Sequence, residues 1–176
     1  TGIYPSFSPD GKWVVSTDKS LEEESDLSWE GNLWIANVDT LERQRITWGQ
    51  FNDFKPHWSP TGEWIVFQSD RPEHAPNYFG KGRIWLVRPN GQDLHPLFDY
   101  SQLPPDISDE DPSWSPDGNW IIFVRSSPDT GDDIWVASVD GSQVYRLTSF
   151  NYAALPGEKP SLFLAEFAKR CEGKTA

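Results

Sequence analysis

The stretch Ser8-Pro9-Asp10-Gly11-Lys12-Trp13 decides how the chain is read, because it returns twice. It recurs as Ser59-Pro60-Thr61-Gly62-Glu63-Trp64 and as Ser115-Pro116-Asp117-Gly118-Asn119-Trp120, at successive spacings of 51 and 56 residues. Each copy is a turn for a mechanical reason. Proline presets φ at the first central position, aspartate caps the turn locally, and glycine takes a positive φ. Thr61 weakens that cap in the second copy. Each turn is preceded by proline, one residue and an aromatic: Pro5-Ser6-Phe7, Pro56-His57-Trp58, Pro112-Ser113-Trp114. Each is followed by an apolar run: Val14-Val15, Ile65-Val66-Phe67, Ile121-Ile122-Phe123-Val124.

A second signature follows each turn. It reads Leu33-Trp34-Ile35-Ala36-Asn37-Val38-Asp39, then Ile84-Trp85-Leu86-Val87-Arg88-Pro89-Asn90-Gly91, then Ile134-Trp135-Val136-Ala137-Ser138-Val139-Asp140-Gly141. A third closes each unit, as Arg45-Ile46-Thr47, His95-Pro96-Leu97 and Arg146-Leu147-Thr148. Asn90-Gly91 and Asp140-Gly141 are expected to be primed hairpin turns, with Asp39-Thr40 a poorer version. The strands are short apolar runs with Trp, Ile and Val, as in sheets covered on both faces. A unit of about 50 residues with four antiparallel strands is a propeller blade. The predicted fold class is all-β: three four-stranded antiparallel β-propeller blades over about 1–48, 49–98 and 99–150. A tail over 151–176 follows, in which Pro160 to Lys169 reads as a short C-terminal helix.

Composition narrows the function. The 176 residues carry 15 basic and 27 acidic side chains, a net charge of −12. Such a chain repels polyphosphate, so nucleic acid is excluded as a partner. Ten Trp, five Tyr and ten Phe are far too many aromatics for a disordered acidic chain. Trp13, Trp64 and Trp120 are expected to pack against neighbouring blades, since a tryptophan covers a large area. No apolar run approaches the ~18–20 residues needed to span a bilayer as a helix. Cys171 is alone, so no intrachain disulfide and no cysteine-based metal site can form. The first residues lack a basic-then-apolar signal peptide, and the missing initiator Met points to a processed or excised segment.

The pattern Pro-x-Trp-Ser-Pro-Asp-Gly, then Ile-Trp-Val-x-x-Val-Asp-Gly, then Arg-Leu-Thr resembles the TolB-type β-propeller repeat, three times over roughly residues 3–148. The same repeat occurs in TolB, in the propellers of prolyl-oligopeptidase-like peptidases and in proteins of unknown role. The resemblance implies a periplasmic or extracytoplasmic location. Known propellers use four to eight blades. Three blades leave open faces rich in Trp and Ile, so either the chain is a fragment of a longer propeller or, the favoured reading, it forms a homodimer that completes a six-bladed ring like that of the TolB propeller.

In a four-stranded blade the first and third connections lie on one face and the second and fourth on the other. The tight turns are first and third. The long connections, 17–32, 48–55, 69–83 and 98–111, therefore share a face, and such insertions often mark the binding side. They hold Trp29, then Trp48, Phe51 and Asp53, then His74, Tyr78 and Phe79, then Tyr100, Asp109, Glu110 and Asp111. Aromatics among carboxylates suit a protein or peptide partner with basic patches, or a carbohydrate. Tyr4, Lys55 and Asp111, each just before a repeat proline, are expected to open the innermost strands. Asp53, Asp109 and Asp111 repeated around a ring could hold a channel Ca2+ through oxygen ligands, which the resemblance allows without requiring. No Gly-x-Ser-x-Gly, His-Glu-x-x-His or phosphate loop occurs, and His57 sits in the slot that Ser6 and Ser113 fill. The reading is a non-catalytic protein-interaction or ligand-binding propeller module. The alternative is a glycan-binding or glycan-processing propeller using Asp109, Glu110 or Asp111 with the loop aromatics.

Overall fold

The computed structural model describes residues 3–19, 31–71 and 81–149. They form three four-stranded antiparallel sheets, each in sequential strand order. Blade one is β1 (Ile3–Phe7), β2 (Trp13–Lys19), β3 (Gly31–Asn37) and β4 (Arg43–Arg45). Blade two is β5 (Asp53–Trp58), β6 (Ile65–Ser69), β7 (Arg83–Val87) and β8 (His95–Pro96). Blade three is β9 (Ser108–Trp114), β10 (Trp120–Ser127), β11 (Gly131–Ser138) and β12 (Val144–Arg146). The first strands form the inner edge, where β5 touches both β1 and β9. A 3-10 turn, Tyr100–Gln102, leads out of blade two. The segments holding Trp29, His74, Tyr78, Phe79 and the expected tail helix lie outside the described residues.

The Ser-Pro-x-Gly turns work by the expected chemistry. The serine hydroxyl accepts from the tryptophan N–H in all three, Ser8 from Trp13 at 2.9 Å, Ser59 from Trp64 at 3.1 Å and Ser115 from Trp120 at 3.0 Å. The aspartate accepts that hydroxyl proton at 2.6 Å in blades one and three, and Thr61 makes the weaker 3.1 Å version in blade two. Gly11, Gly62 and Gly118 take φ of 70, 77 and 71°.

The outer hairpins differ from expectation. Of the two central residues of each turn only the glycine is left-handed, Gly91 at φ 82° and Gly141 at φ 67°, while Asn90 and Asp140 are not; Asp93, later in the blade-two hairpin, sits at φ 53°. A primed turn needs both central residues at positive φ. Pro89 cannot supply that, so the turn closes one residue earlier, with Gly91 N–H donating to the Arg88 carbonyl at 2.8 Å and Gly141 N–H to Ser138 at 2.9 Å. Blade one uses a longer version, in which Leu41 N–H donates to Asn37 at 3.0 Å and Leu41 itself sits at φ 62°.

Apolar alternation builds two cores, one per seam. Val15, Leu33, Ile35 and Ile46 of blade one close on Ile65, Phe67, Trp85 and Val87 of blade two, with Trp13 packed alongside. Val66, Ile84 and Leu86 on the other face of blade two close on Ile121, Phe123 and Ala137 of blade three, with Trp64 alongside. Each fully buried aliphatic or Phe side chain contributes about 1.5–3 kcal/mol. Trp120 instead packs on Tyr145 of its own blade, ring centroids 6.2 Å apart. Blade three also lacks a long second connection. There β10 and β11 pair without interruption from Trp120↔Ser138 to Ser127↔Gly131.

Candidate functional site

The inner edge holds the most unusual backbone. Tyr4, Lys55 and Asp111 lie inside β1, β5 and β9 rather than at their starts, with φ of 55, 50 and 54°. Each precedes proline, a position that normally holds extended backbone. Each also sits at a break in register between the first and second strands. A non-glycine residue held left-handed costs of order 1–3 kcal/mol, and such strain collects at functional sites. These residues line one open groove of about 330 Å³ together with Pro5, Pro56, His57, Pro112 and Ser113.

The groove carries titratable chemistry at its surface. Lys55 Nζ pairs with the Asp111 carboxylate, and both side chains are substantially exposed, 32% and 50%. An exposed pair contributes at most about 1 kcal/mol, so a ligand group can displace either partner. His57 beside it is exposed as a residue, yet loss of ring hydration holds its pKa below the ordinary histidine value, with the Asp111 charge pulling the other way. Trp114 Nε1 donates to the His57 carbonyl at 2.9 Å and fixes the backbone behind the ring. Tyr4 stacks edge-on to Phe54 at 6.4 Å.

The carboxylates two residues upstream have a different fate. Asp53 and Asp109 are fully buried. Arg71 grips Asp53 through Nε at 3.0 Å and Nη2 at 2.6 Å, and the Ser69 hydroxyl adds a third bond at 2.6 Å. Arg125 grips Asp109 the same way, at 2.6 and 2.7 Å, while its guanidinium lies 4.9 Å from the Trp135 ring. Their oxygens are occupied by arginine, so a channel cation would have to find ligands at Glu110 and Asp111. Among the described residues no group of three His, Cys, Asp or Glu comes together.

Other expected site residues are scattered. Tyr100 is buried, and its phenol oxygen accepts the Ile84 N–H at 2.8 Å, the place that the Thr47 and Thr148 hydroxyls fill for Leu33 and Ile134. Burial pushes its pKa well up. Phe51 lies under the Arg71 guanidinium at 5.0 Å, and Trp48, 55% exposed, flanks the Gly91 turn. Glu110 accepts from the Ser108 hydroxyl at 2.8 Å. Of the seven expected residues that are described, only Asp111 lines the groove. His57 belongs there and reads in the sequence as structural. The available signal was its slot, since Ser113 at the same repeat position lines the groove too.

No protein-family model matches the chain. An uncharacterized protein of Agrobacterium fabrum is 31% identical over 127 residues, 70% of this chain and 40% of that protein. An uncharacterized peptidase of Bacillus subtilis, YuxL, is 30% identical over 122 residues, 69% of this chain and 17% of the relative. The chain thus spans well under half of either relative. Among solved structures, a TolB-type protein from Agrobacterium tumefaciens superposes with TM-score 0.66 at 23% identity, over 84% of this chain and 49% of that one. TolB from Acinetobacter baumannii gives 0.60 at 21% identity, over 83% and 32%. An oligogalacturonate lyase in complex with manganese gives 0.62 at 16% identity, over 87% and 43%. The class is a β-propeller. The particular kind is TolB-like, and the described residues are three of its blades.

Proposed function

We propose that the chain is a binding module that docks a basic, extended segment of a protein partner along the inner-strand groove and does no chemistry on it. The observation that carries this is the repeated left-handed backbone at Tyr4, Lys55 and Asp111, all three on one groove. A bulged inner strand turns these side chains out of the ladder, which suits capture of a partner rather than packing. Charge supports a basic partner, since the chain carries −12 and an exposed carboxylate at the groove. The TolB-like fold supports a protein partner and, by resemblance, a location in the periplasm. No helix of the described residues is long and apolar enough to cross a membrane. In this reading two copies make up the ring that binds.

The test is fluorescence anisotropy with labelled extended peptides: lysine- and arginine-rich, acidic, and neutral. Basic peptides bind, affinity falls with salt, and Asp111→Ala weakens it about tenfold, equal to about 1.4 kcal/mol. Failure of every peptide, or indifference to Asp111→Ala, refutes the reading. A glycan-processing propeller is the second reading, favoured by the lyase likeness. It predicts that Asp111→Ala abolishes turnover of an oligosaccharide. An anionic uronate polymer fits poorly beside so acidic a surface.

A further inference from the structure

The two seams inside the chain share one outer notch, and an indole of this chain sits on it in the first seam but not in the second. Register sets the correspondence. Ile46 N–H donates to the Leu33 carbonyl at 2.9 Å and Leu97 N–H to the Ile84 carbonyl at 2.8 Å, so Ile46 matches Leu97 and Trp48 matches Asp99. Trp85 pairs with Pro96 and Trp135 with Arg146, so Leu94 matches Val144. Between blades one and two the Trp48 indole lies against the Gly91 hairpin. A Cβ built on Gly91 would sit 3.3 Å from its Cζ3 and 3.4 Å from its Cη2. Leu94 is half-buried there, against the first core. Between blades two and three Asp99 stands in place of that tryptophan. A Cβ on Gly141 would meet the Leu97 carbonyl and, at 3.6 Å, Phe98 Cδ1. Phe98 itself is turned into the seam, its ring centroid 5.7 Å from those of both Tyr100 and Phe123. What stays open is a notch of about 310 Å³ between the 97–103 connection and the outer hairpin of blade three. Val144 on its wall is 39% exposed.

We propose that this notch docks a tryptophan side chain of a protein partner, with a lysine or arginine beside it in the partner's sequence. The argument from shape is internal to the chain. The notch is the place that Trp48 takes one seam earlier, on the same hairpin, and Leu97, Leu103 and Val144 make its walls apolar. A large ring seated in such a pocket is a common anchor of protein interfaces. The argument from charge is local. Asp99 and Asp140, both exposed, stand at the rim. Hydrogen bonds from the Ser138 and Ser142 hydroxyls and the Ser142 N–H hold the Asp140 carboxyl at a pKa of about 2, so it is ionised. Arg125 also lines the notch, but its side chain is 7% exposed and its charge is matched by Asp109 at 2.6 and 2.7 Å. The rim is therefore net acidic, so a cation beside the anchor is attracted and an anion repelled. Both walls belong to described blades, and the notch shares no lining residue with the inner-strand groove. The site goes beyond the proposed function and stands without it.

The test is an NMR amide-shift titration of the full chain with blocked tetrapeptides. Ala-Trp-Lys-Ala shifts the amides of Phe98, Gly141 and Val144, while those of His57 and Ser113 in the inner-strand groove stay in place. Ala-Trp-Glu-Ala binds about fivefold more weakly, and Asp99→Asn, which keeps an acceptor for the local turn, narrows that difference. Ala-Ala-Lys-Ala leaves the notch amides unmoved. Asp99→Trp gives the second seam the residue that the first one has, and Val144→Trp fills the notch from its wall. Each abolishes the shifts in a protein whose amide spectrum stays dispersed, and one folded variant of the two is enough to decide. Notch amides that ignore Ala-Trp-Lys-Ala, or respond equally to the glutamate peptide, overturn the proposal. So does a folded Asp99→Trp or Val144→Trp that still binds. Cross-peaks from the Leu103 and Val144 methyls to residues 150–176 in the free protein overturn it by giving the notch to the chain's own tail. A change of mass in light scattering on Val144→Trp overturns it by giving the notch to a second copy.

Discussion

Replacing Asp109 by alanine should destabilise the protein by about 3–5 kcal/mol, the usual result of removing one partner from a buried ion pair. The magnitude follows from geometry. Asp109 is 0% exposed, Arg125 is 7% exposed at its side chain, and two parallel bonds of 2.6 and 2.7 Å join them. Without the carboxylate, the guanidinium stays buried among Phe98, Phe123 and Trp135 with no counter-charge. A domain of this size has a stability of roughly 5–15 kcal/mol. At about 2–4 °C per kcal/mol, the melting temperature falls by about 6–20 °C. The assay is thermal and urea unfolding of wild type, Asp109→Ala, Asp111→Ala and the double variant Asp109→Leu/Arg125→Met. The double variant recovers most of the loss, since replacing both members with apolar groups removes the uncompensated charge. Asp111→Ala stays within about 1 kcal/mol of wild type because its pair is exposed. If Asp109→Ala melts like wild type while Asp111→Ala unfolds, the assignment of one carboxylate to structure and the other to the groove is refuted.

The glycines separate strain from collision. Gly141→Ala should lower stability by more than about 3 kcal/mol, because a Cβ there would collide with the Leu97 carbonyl oxygen as well as sit at φ 67°. Gly11→Ala at φ 70° meets nothing among the described residues within 4 Å and should cost only about 1–2 kcal/mol in chemical denaturation; equal losses would contradict this. For His57 the folded pKa lies below its unfolded value, so the unfolded chain binds more protons. That contribution is present above about pH 6.5 and is lost as pH falls through the window beneath it. His57→Ser, carrying the residue found in blades one and three, should flatten the urea midpoint across pH 5–7; an unchanged slope argues against the shift.

The blades were readable because their determinants are local. A serine hydroxyl, a proline φ and a glycine at positive φ close each turn within five or six residues, and alternation then assigns the strands. The site was less readable, for a reason visible at Asp109 and Asp111. They are two residues apart on one strand and chemically identical. The bulge between them, and an arginine 16 residues downstream on β10, decide that one is buried and the other faces the groove. Tyr100 is similar. Its ring reads as a loop aromatic, but the short outer strand of blade two leaves it to supply the hydroxyl that a threonine supplies in the other two blades.

By itself, then, the sequence determined the repeat, the strand order, the tight turns and the sign of the surface charge. These depend on neighbours along the chain and on totals. Which carboxylates are exposed and which tryptophans are covered were decided only by tertiary structure. Those properties depend on what stands opposite across a seam, and a seam joins residues some fifty positions apart whose fit depends on ångström-scale clearance.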